Sequence, residues 1–163
     1  MRLNLKPIIH ASGESLPFEF SLDLHDVELS GQAPVSAPVM VAGRVRNQAG
    51  MLLLDGRMQT TLTPTCDRCG KHFSREKHLP LSFVLAEEIA GEDNDEIILL
   101  DAGELDIGEL AYTTFILEMD TKHLCLETCK GLCPGCGADL NEEACHCKPA
   151  VDPRWSALSQ LLE

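Results

Sequence analysis

Alternating apolar and polar residues predict that the first half of the chain forms a β-sheet. Residues 18–24 place an apolar side chain at every second position, which is the pattern of a strand with one buried face. Comparable runs cover residues 39–45, 51–63 and 73–85. Residues 47–50, with the sequence Asn-Gln-Ala-Gly, are typical of a tight turn between two of these strands. We expect a curved antiparallel sheet that resembles an open barrel.

A helix is predicted to follow the sheet. Residues 106–109, Asp-Ile-Gly-Glu, form a capping-box sequence, and residues 107–119 then have apolar positions at helical spacing. The acidic stretch 87–96 before them predicts a solvated loop, after which residues 97–100 can add a short edge strand. Residues 1–17 show no clear period, so we expect a lead-in strand or loop there.

The C-terminal end predicts a second, short helix. Asp152 and Pro153 suit an N-cap and the first helical position, and an apolar stripe follows. We attribute the stripe to core packing and keep a partner contact as the alternative. Its members are Trp155, Leu158, Leu161 and Leu162.

The predicted fold class is α+β. We expect a domain of antiparallel sheet plus helix over residues 1–120, followed by a zinc-binding segment and terminal helix over residues 121–163. The second part is expected to dock on the first through Cys66 and Cys69, so that both form one structural unit. A length of 163 residues suits one domain with a small appended module.

Composition indicates which residues form the core, and net charge indicates which partners the protein can bind. Hydrophobic residues make up 44% of the chain but aromatic residues only 4%, which predicts a mostly aliphatic core. The formal net charge is −13. Such a charge repels phosphate backbones, because non-specific nucleic-acid binding depends on cationic side chains. This charge favours binding of a basic protein over binding of RNA. Direct RNA contact would require a local basic patch.

The cysteines carry the strongest chemical signal. Eight cysteines occur in four close pairs, and eight thiolates suffice for two tetrahedral four-cysteine zinc sites. Two of the pairs have the form C-x-x-C-G, in which glycine lets the backbone turn tightly around the thiolates. The pairs are Cys66/Cys69, Cys125/Cys129, Cys133/Cys136 and Cys145/Cys147.

The pairs can be combined into sites in three ways. We favour Cys133/Cys136 with Cys145/Cys147, since the short intervening loop costs little closure entropy. The remaining two pairs would then form a second site. Joining the two glycine-containing pairs and occupying a single site both remain open. His123 and His146 could each replace a cysteine ligand, although we expect them to be ordinary neighbouring or surface residues.

The same residues argue against catalysis and for a reducing compartment. A zinc ion held by four thiolates has no open coordination position, which is typical of a structural site. The sequence contains no nucleophile elbow, phosphate-binding glycine loop or H-E-x-x-H motif. We therefore expect a protein that is not an enzyme and has no small-molecule substrate. The chain shows neither a secretory signal nor a membrane-spanning stretch, so we expect a cytoplasmic protein whose cysteines bind metal rather than form disulfides.

One block of sequence is similar to a known family. Residues 129–141 read Cys-Lys-Gly-Leu-Cys-Pro-Gly-Cys-Gly-Ala-Asp-Leu-Asn, and a strand leads into the Cys66–Cys69 pair. With the terminal Asp-Pro-Arg at 152–154, these features resemble the YceD family, the bacterial and plastid large ribosomal RNA subunit accumulation proteins. The resemblance covers the chain from about Phe18 to its C-terminus. It implies a non-enzymatic factor for synthesis, processing or stability of large-subunit (23S) ribosomal RNA, on a curved antiparallel sheet with helices.

Three hypotheses for the molecular action follow. The first is a zinc-stabilised factor that holds a basic partner, either a ribosomal protein or a pre-ribosomal large-subunit intermediate. The second is a zinc-ribbon protein that binds RNA directly. The third is a thiol switch that releases zinc on oxidation. Lys130 and Arg154 are the candidate RNA or partner contacts, although isolated surface cations are more often solvated.

Overall fold

A computed structural model describes residues 1–29, 31–88 and 97–147 and consists mostly of β-sheet. In chain order the strands are β1 (Arg2–Asn4), β2 (Ser15–Leu22), β3 (Val39–Gln48), β4 (Met51–Leu62), β5 (Arg75–Ala86), β6 (Ile97–Leu99) and β7 (Glu104–Asp106). The helices are α1 (Lys6–Ile9) and α2 (Ile107–Leu117). The predicted terminal helix lies outside the described residues.

Contacts divide the chain into two units. The first comprises Met1–Pro64 and Ser74–Thr121, and the second comprises Thr65–Phe73 and the residues from Lys122 onward. The boundary near residue 121 therefore lies close to the predicted one, but the segment around Cys66 and Cys69 groups with the C-terminal part. Docking of the two parts into one structural unit stays a prediction.

The main sheet is open and mixed rather than wholly antiparallel. Its strand order is β2-β3-β4-β5-β6, and within the described residues its edge strands β2 and β6 do not pair with each other. The first four strands are antiparallel neighbours, whereas β6 runs parallel to β5. The short edge strand predicted at 97–100 is present as Ile97–Leu99, but the prediction of a wholly antiparallel sheet is wrong. Strand β6 therefore lies at the edge of the sheet beside β5, and both strands run in the same direction.

The turn between β3 and β4 sets the register of both strands. Gln48 pairs with Met51, so only Ala49 and Gly50 lie between the strands. Their φ angles are +54° and +90°, as a two-residue hairpin loop with right-handed twist requires. Because the turn has only two residues, β3 continues to Gln48 and is longer than the alternating run at 39–45.

The core is mainly aliphatic, as the low aromatic content predicts. Valines and leucines of β3, β4 and β5 share one buried cluster with α2, which contributes Ile107, Ala111 and Phe115. Asp106 accepts a hydrogen bond from the backbone N–H of Glu109 and caps this helix. The hydrogen bond and the N-terminal ammonium group both lower the pKa of Asp106. The predicted helix packed on the sheet is confirmed, although it ends at Leu117 rather than 119.

Two glycines face each other at the centre of the sheet. Gly43 of β3 pairs with Gly56 of β4, and the ring of Phe18 from β2 lies against both. A Cβ atom added to Gly43 would stand 2.4 Å from the carbonyl oxygen of Asp55 and 2.5 Å from the Cα of Gly56. At Gly56 the closest atom would be 3.1 Å away. The ring therefore occupies space that side chains on these two strands would otherwise fill.

The short N-terminal pairing was not predicted from the sequence. Strands β1 and β7 pair antiparallel, and α1 follows β1 directly. Asn47 fixes α1 to the sheet, because its side-chain amide donates to the carbonyls of Ile8 and Ile9 at 2.8 and 2.7 Å. Its side-chain oxygen accepts from the N–H of Gly50. Asn47 thus supplies hydrogen-bond partners both to the last carbonyls of α1 and to the hairpin turn.

Replacing Asn47 with alanine is expected to lower the free energy of unfolding by about 2–3 kcal/mol, since two carbonyls and one N–H lose their partner next to the core. Urea denaturation followed by circular dichroism measures the change. The neighbouring Gln48 is exposed, so Gln48→Ala is the control and should change stability by less than about 0.5 kcal/mol. Equal stability of Asn47→Ala and wild type would contradict this role.

Among the described residues, no helix has the length and apolar character needed to cross a bilayer.

Candidate metal centres

All eight cysteines lie in the second unit, and all are free thiols. They form two groups of four whose sulfur atoms lie within 4.8 Å of one another. Centre 1 consists of Cys66, Cys69, Cys125 and Cys129, and centre 2 of Cys133, Cys136, Cys145 and Cys147. This is the grouping favoured from the length of the intervening loops.

The two C-x-x-C-G segments have the same backbone structure. In the first, the N–H of Gly70 donates to the carbonyl of Cys66 at 2.9 Å, and the N–H of Cys66 donates to Lys71 at 2.8 Å. In the second, Gly137 and Cys133 make the equivalent bonds at 2.9 and 2.8 Å. Both glycines have a positive φ, +71° and +77°. Each centre therefore contains one tight turn that places two sulfurs on the same side of the backbone.

The sulfur separations of centre 1 fit a tetrahedral thiolate site, and two of those in centre 2 are shorter. Bonds of about 2.3 Å to one tetrahedral ion place its sulfur ligands about 3.8 Å apart. In centre 1, the Sγ atoms of Cys66 and Cys129 are 3.9 Å apart, and those of Cys69 and Cys125 are 3.7 Å apart. In centre 2, Cys145 lies 3.4 Å from Cys136 and 3.2 Å from Cys133. The donor set of both centres fits a metal ion that prefers sulfur.

The centres differ in exposure. In centre 1, three cysteines are buried, and Phe73 and Leu124 pack against them. In centre 2, only Cys133 is buried, whereas Cys136 and Cys147 are exposed. Solvent, chelators and oxidants therefore reach centre 2 more readily than centre 1.

Backbone N–H groups favour one thiolate in each centre. Burial raises the pKa of Cys66, but hydrogen bonds from the N–H groups of Cys125, Cys69 and Arg68 outweigh it and lower the pKa to about 6. The pKa of Cys133 is likewise lowered to about 6, by the N–H of Cys136 first, with help from the Cys145 thiol and the N–H of Gly135.

Two of the other thiols, Cys125 and Cys147, have a raised pKa and stay protonated. Burial and the adjacent cysteines raise the pKa of Cys125 to about 12, and Cys145 and Cys136 raise that of Cys147 to about 12. Four thiolates repel one another unless a cation lies among them, so a divalent ion would stabilise all four charges together. The electrostatics of both centres therefore fit a bound cation.

The histidines do not join either group. His123 is buried, and within the described residues its Nε2 atom has no hydrogen-bond partner. Its backbone is tied to Asp67, which accepts from the His123 N–H at 2.6 Å and donates to the His123 carbonyl at 2.8 Å. His146 is exposed. The two four-cysteine groups are complete without a histidine ligand.

The structure describes one of the two cations proposed as contact residues. Lys130 follows Cys129 in the sequence and has an exposed side chain, and its backbone N–H donates to Asn141 at 2.7 Å. Its contact with RNA or a partner stays a prediction. Arg154 lies outside the described residues.

Arg68 is a structural residue that the sequence did not reveal. Its guanidinium group donates to the carbonyls of Cys129 and Glu127 at 2.7 and 3.2 Å, and its own carbonyl accepts from the N–H of Leu132 at 3.1 Å. Gly131 lies against this contact, since a Cβ there would stand 2.8 Å from the Arg68 carbonyl oxygen. The glycine of the Cys-Lys-Gly-Leu-Cys block is the one available signal of this close approach.

Replacing Gly131 with alanine is expected to destabilise the second unit by about 3 kcal/mol or more, because a φ of +77° strains alanine and its Cβ overlaps backbone. Gly137→Ala is a matched control: Gly137 also has a φ of +77° but no atom within 4 Å of an added Cβ. It should cost only the strain, about 1–2 kcal/mol. Guanidinium unfolding measures both losses, and equal losses would refute the close-contact role.

Side chains from the second loop reach the first centre. Asn141, which lies between Cys136 and Cys145, donates a hydrogen bond from Nδ2 to the Sγ of Cys129 at 3.4 Å. Lys71, just after the first C-x-x-C-G turn, forms ion pairs with Glu142 and, at 2.8 Å, with Asp139. The pKa of Asp139 falls to about 2 for that reason, and the pKa of Lys71 rises. The two centres are thus linked through polar side chains.

Comparison with known proteins assigns the chain to a family. The family model described as "Large ribosomal RNA subunit accumulation protein YceD" matches residues 54–162. A chloroplastic YCED homolog 1 of Arabidopsis thaliana is 27% identical over 80% of this chain and 50% of its own length. The same-named Zea mays protein is 27% identical over 91% of this chain and 61% of its own length. An uncharacterized Mycobacterium bovis protein is 26% identical over 73% and 59%, respectively.

The chain spans about half to three-fifths of the length of these relatives. No solved structure matches it. The family model covers two thirds of the chain and includes β5, α2 and all eight cysteines, so the matched range contains both centres. The chain belongs to the YceD family of large ribosomal RNA subunit accumulation proteins.

Proposed function

We propose that this protein is a non-enzymatic factor for the synthesis, processing or stability of large-subunit ribosomal RNA, acting in the cytoplasm. Family membership carries the proposal, because the matching model and both plant relatives bear the name of large ribosomal RNA subunit accumulation proteins. A factor of this kind needs a stable binding surface rather than reacting groups. Two four-sulfur centres suit that requirement, since a metal ion with four thiolate ligands has no position left for a substrate.

Zinc is the metal proposed for both centres. It is redox-inert and tetrahedral in four-cysteine sites, and the sulfur separations of 3.7–3.9 Å in centre 1 match the geometry expected for it. The described part of the second unit buries only a small apolar cluster around Cys66, Cys69 and Cys129. Bound metal would therefore supply much of its folding free energy.

The partner proposed is basic: a ribosomal protein or a large-subunit assembly intermediate that carries one. The chain has 26 acidic and 13 basic residues, and loading both centres changes the charge further. Eight thiolates contribute −8 and two zinc ions +4 to the formal charge of −13, which gives about −17. A surface of this charge accelerates encounter with a cationic protein and disfavours free RNA.

The test is depletion of this protein followed by sucrose-gradient ribosome profiles and precursor-rRNA analysis. A shortage of large subunits should be restored by the wild-type protein and not by a variant with Cys133→Ser and Cys136→Ser. His146→Ala, which removes an exposed side chain outside both cysteine groups, should restore it fully. Normal subunit ratios and normal precursor levels after depletion would overturn the proposal.

Direct RNA contact is a second candidate, and three arginines on the outer face of the sheet favour it. Arg44 of β3 lies directly opposite Asp55 of β4, Arg57 is two residues further along β4, and Arg46 forms a 2.9 Å ion pair with Asp55. Three exposed arginines thus lie on the same face of neighbouring strands, and one of them is paired with a carboxylate. Guanidinium groups bind phosphate with two parallel hydrogen bonds, so this arrangement could hold an RNA backbone.

Binding to fragments of large-subunit RNA at increasing salt tests the second candidate. Neutralising Arg44 and Arg57 with glutamine should weaken binding and reduce the slope of log K against log salt by about 2. Arg2→Gln with Lys6→Gln makes the same change in net charge elsewhere in the first unit and is the matched control. No binding at low salt, or equal effects of the two double variants, would eliminate this surface as an RNA contact.

A further inference from the structure

We propose that Asn141 couples the two centres, so that a metal ion at centre 2 strengthens metal binding at centre 1. The proposal rests on the metal binding proposed above, but it concerns a different property: the energetic dependence of one centre on the other. It begins from the position of Asn141, which belongs to the loop of centre 2 and contacts a ligand of centre 1.

Neighbouring hydrogen bonds fix the orientation of the Asn141 amide. Its Oδ1 accepts from the backbone N–H of Lys130 at 2.7 Å, and its Nδ2 donates to Asp139 Oδ1 at 2.7 Å as well as to Cys129 Sγ at 3.4 Å. The reverse orientation would place an NH₂ group against the Lys130 N–H and an oxygen against a carboxylate. The N–H therefore faces the sulfur of Cys129.

A hydrogen bond of this kind stabilises a metal-bound thiolate. An N–H donor offsets part of the negative charge that four sulfurs place around one ion, and partners of this type commonly change metal affinity by 10-fold to 100-fold. Cys129 is buried, so water cannot replace the lost donor easily. The strength of centre 1 thus depends on whether Asn141 is held in place.

Centre 2 holds Asn141 in place. The loop that carries it begins at Cys136 and ends at Cys145, so an ion bound to both cysteines closes the loop at its two ends. The Asn141 backbone N–H also donates to Asp139 Oδ1 at 2.9 Å, and Asp139 is paired with Lys71 beside centre 1. Without an ion the chain at Cys145 is released, and ordering the loop then costs free energy.

Because the centres differ in exposure, we expect the two ions to be lost in a fixed order. Cys136 and Cys147 are exposed, whereas Cys66, Cys69 and Cys129 are buried. Chelators therefore remove the ion from centre 2 first, and this loss weakens centre 1. Linkage requires the reverse as well: an ion at centre 1 strengthens centre 2 by the same factor.

The experiment measures the affinity of centre 1 for Zn²⁺ in the full-length protein, by competition with a chromophoric chelator. Co²⁺ is the spectroscopic probe, since its thiolate absorption reports on each four-sulfur site as it fills. Asn141→Ala should weaken centre 1 about 10-fold or more and leave two ions bound at saturation. Asn141→Asp should weaken it at least as much, because it keeps the acceptor for Lys130 but removes the donor to Cys129. Glu143→Ala, an exposed residue of the same loop, is the matched control.

A double-mutant cycle shows whether the effect passes through centre 2. Centre 1 should be equally weak with Cys136→Ser alone and with Cys136→Ser plus Asn141→Ala, since the first change already releases the loop. An unchanged affinity of centre 1 in Asn141→Ala, or fully additive effects in the cycle, would overturn the coupling. Failure of metal binding itself is distinguishable, because the wild-type protein would then bind no Zn²⁺ in the same titration.

Discussion

Replacing Cys133 and Cys136 with serine is expected to remove one of two bound metal ions per chain. Replacing Cys66 and Cys69 is expected to remove the other ion and, in addition, to unfold most of the second unit. Structural zinc ions contribute apparent binding free energies of about 10–16 kcal/mol in small domains. Centre 1 lies at the only buried apolar cluster that the described part of this unit contains, so its loss has the larger effect.

Metal content by mass spectrometry and the dispersion of amide NMR signals measure these two effects. His146→Ala should retain both ions and serves as the control, because this exposed side chain lies outside both cysteine groups. A metal-to-protein ratio that is the same in both double-serine variants and the wild type would refute the assignment of the centres.

The second large effect is expected at the centre of the sheet. Gly43→Ala should lower the free energy of unfolding by about 3 kcal/mol or more, because its Cβ would overlap backbone atoms of β4 at 2.4 and 2.5 Å as well as the Phe18 ring at 2.8 Å. Backbone atoms within a paired strand cannot move aside without breaking the register of β3 with β4.

Gly56→Ala provides the matched comparison for this site. Its Cβ would stand 3.1 Å from the nearest backbone oxygen and 3.2 Å from the Phe18 ring, so small shifts can accommodate it. We expect a loss of about 1 kcal/mol or less, measured by urea denaturation alongside Gly43→Ala. Equal losses in the two variants would show that the close contact at Gly43 is relieved at no cost.

Strands with one buried face were predictable from the sequence because their apolar positions repeat every second residue. The runs at 39–45, 51–63 and 73–85 correspond to β3, β4 and β5, and the turn between the first two follows from its residue types. The first run appears in β2, which begins at Ser15 and ends at Leu22. Strands of three residues, such as β1 and β7, contain too few positions to show a period.

Parallel pairing could not be predicted either. The three residues of β6 suggested an edge strand, but nothing local specifies which way a strand runs against its neighbour. That direction depends on the path of the chain between β5 and β6, which is set by the fold as a whole. The α1 helix was missed for a related reason: it has four residues, and Asn47 from a distant strand satisfies its end.

For the metal centres, the sequence predicted how the cysteines group but not which other side chains support them. The grouping of the cysteines followed from loop length, since Cys136 and Cys145 are separated by a short segment. The supporting contacts of Arg68, Lys71 and Asn141 all join residues from different turns or loops. A linear sequence gives no signal for them beyond the glycine at 131, whose missing side chain marks a close approach.

Centre 1 joins two segments of the chain that are far apart in sequence. Cys66 and Cys69 precede β5, whereas Cys125 and Cys129 follow α2, so its ligands close a long loop that contains part of the sheet. Closing such a loop reduces the conformational entropy of the unfolded chain, as a disulfide bond does. An ion at centre 1 would therefore act as a reversible cross-link that raises the melting temperature of the sheet. The ligands of centre 2 all lie within residues 133–147. An ion there would therefore not reduce the conformational entropy of the unfolded sheet.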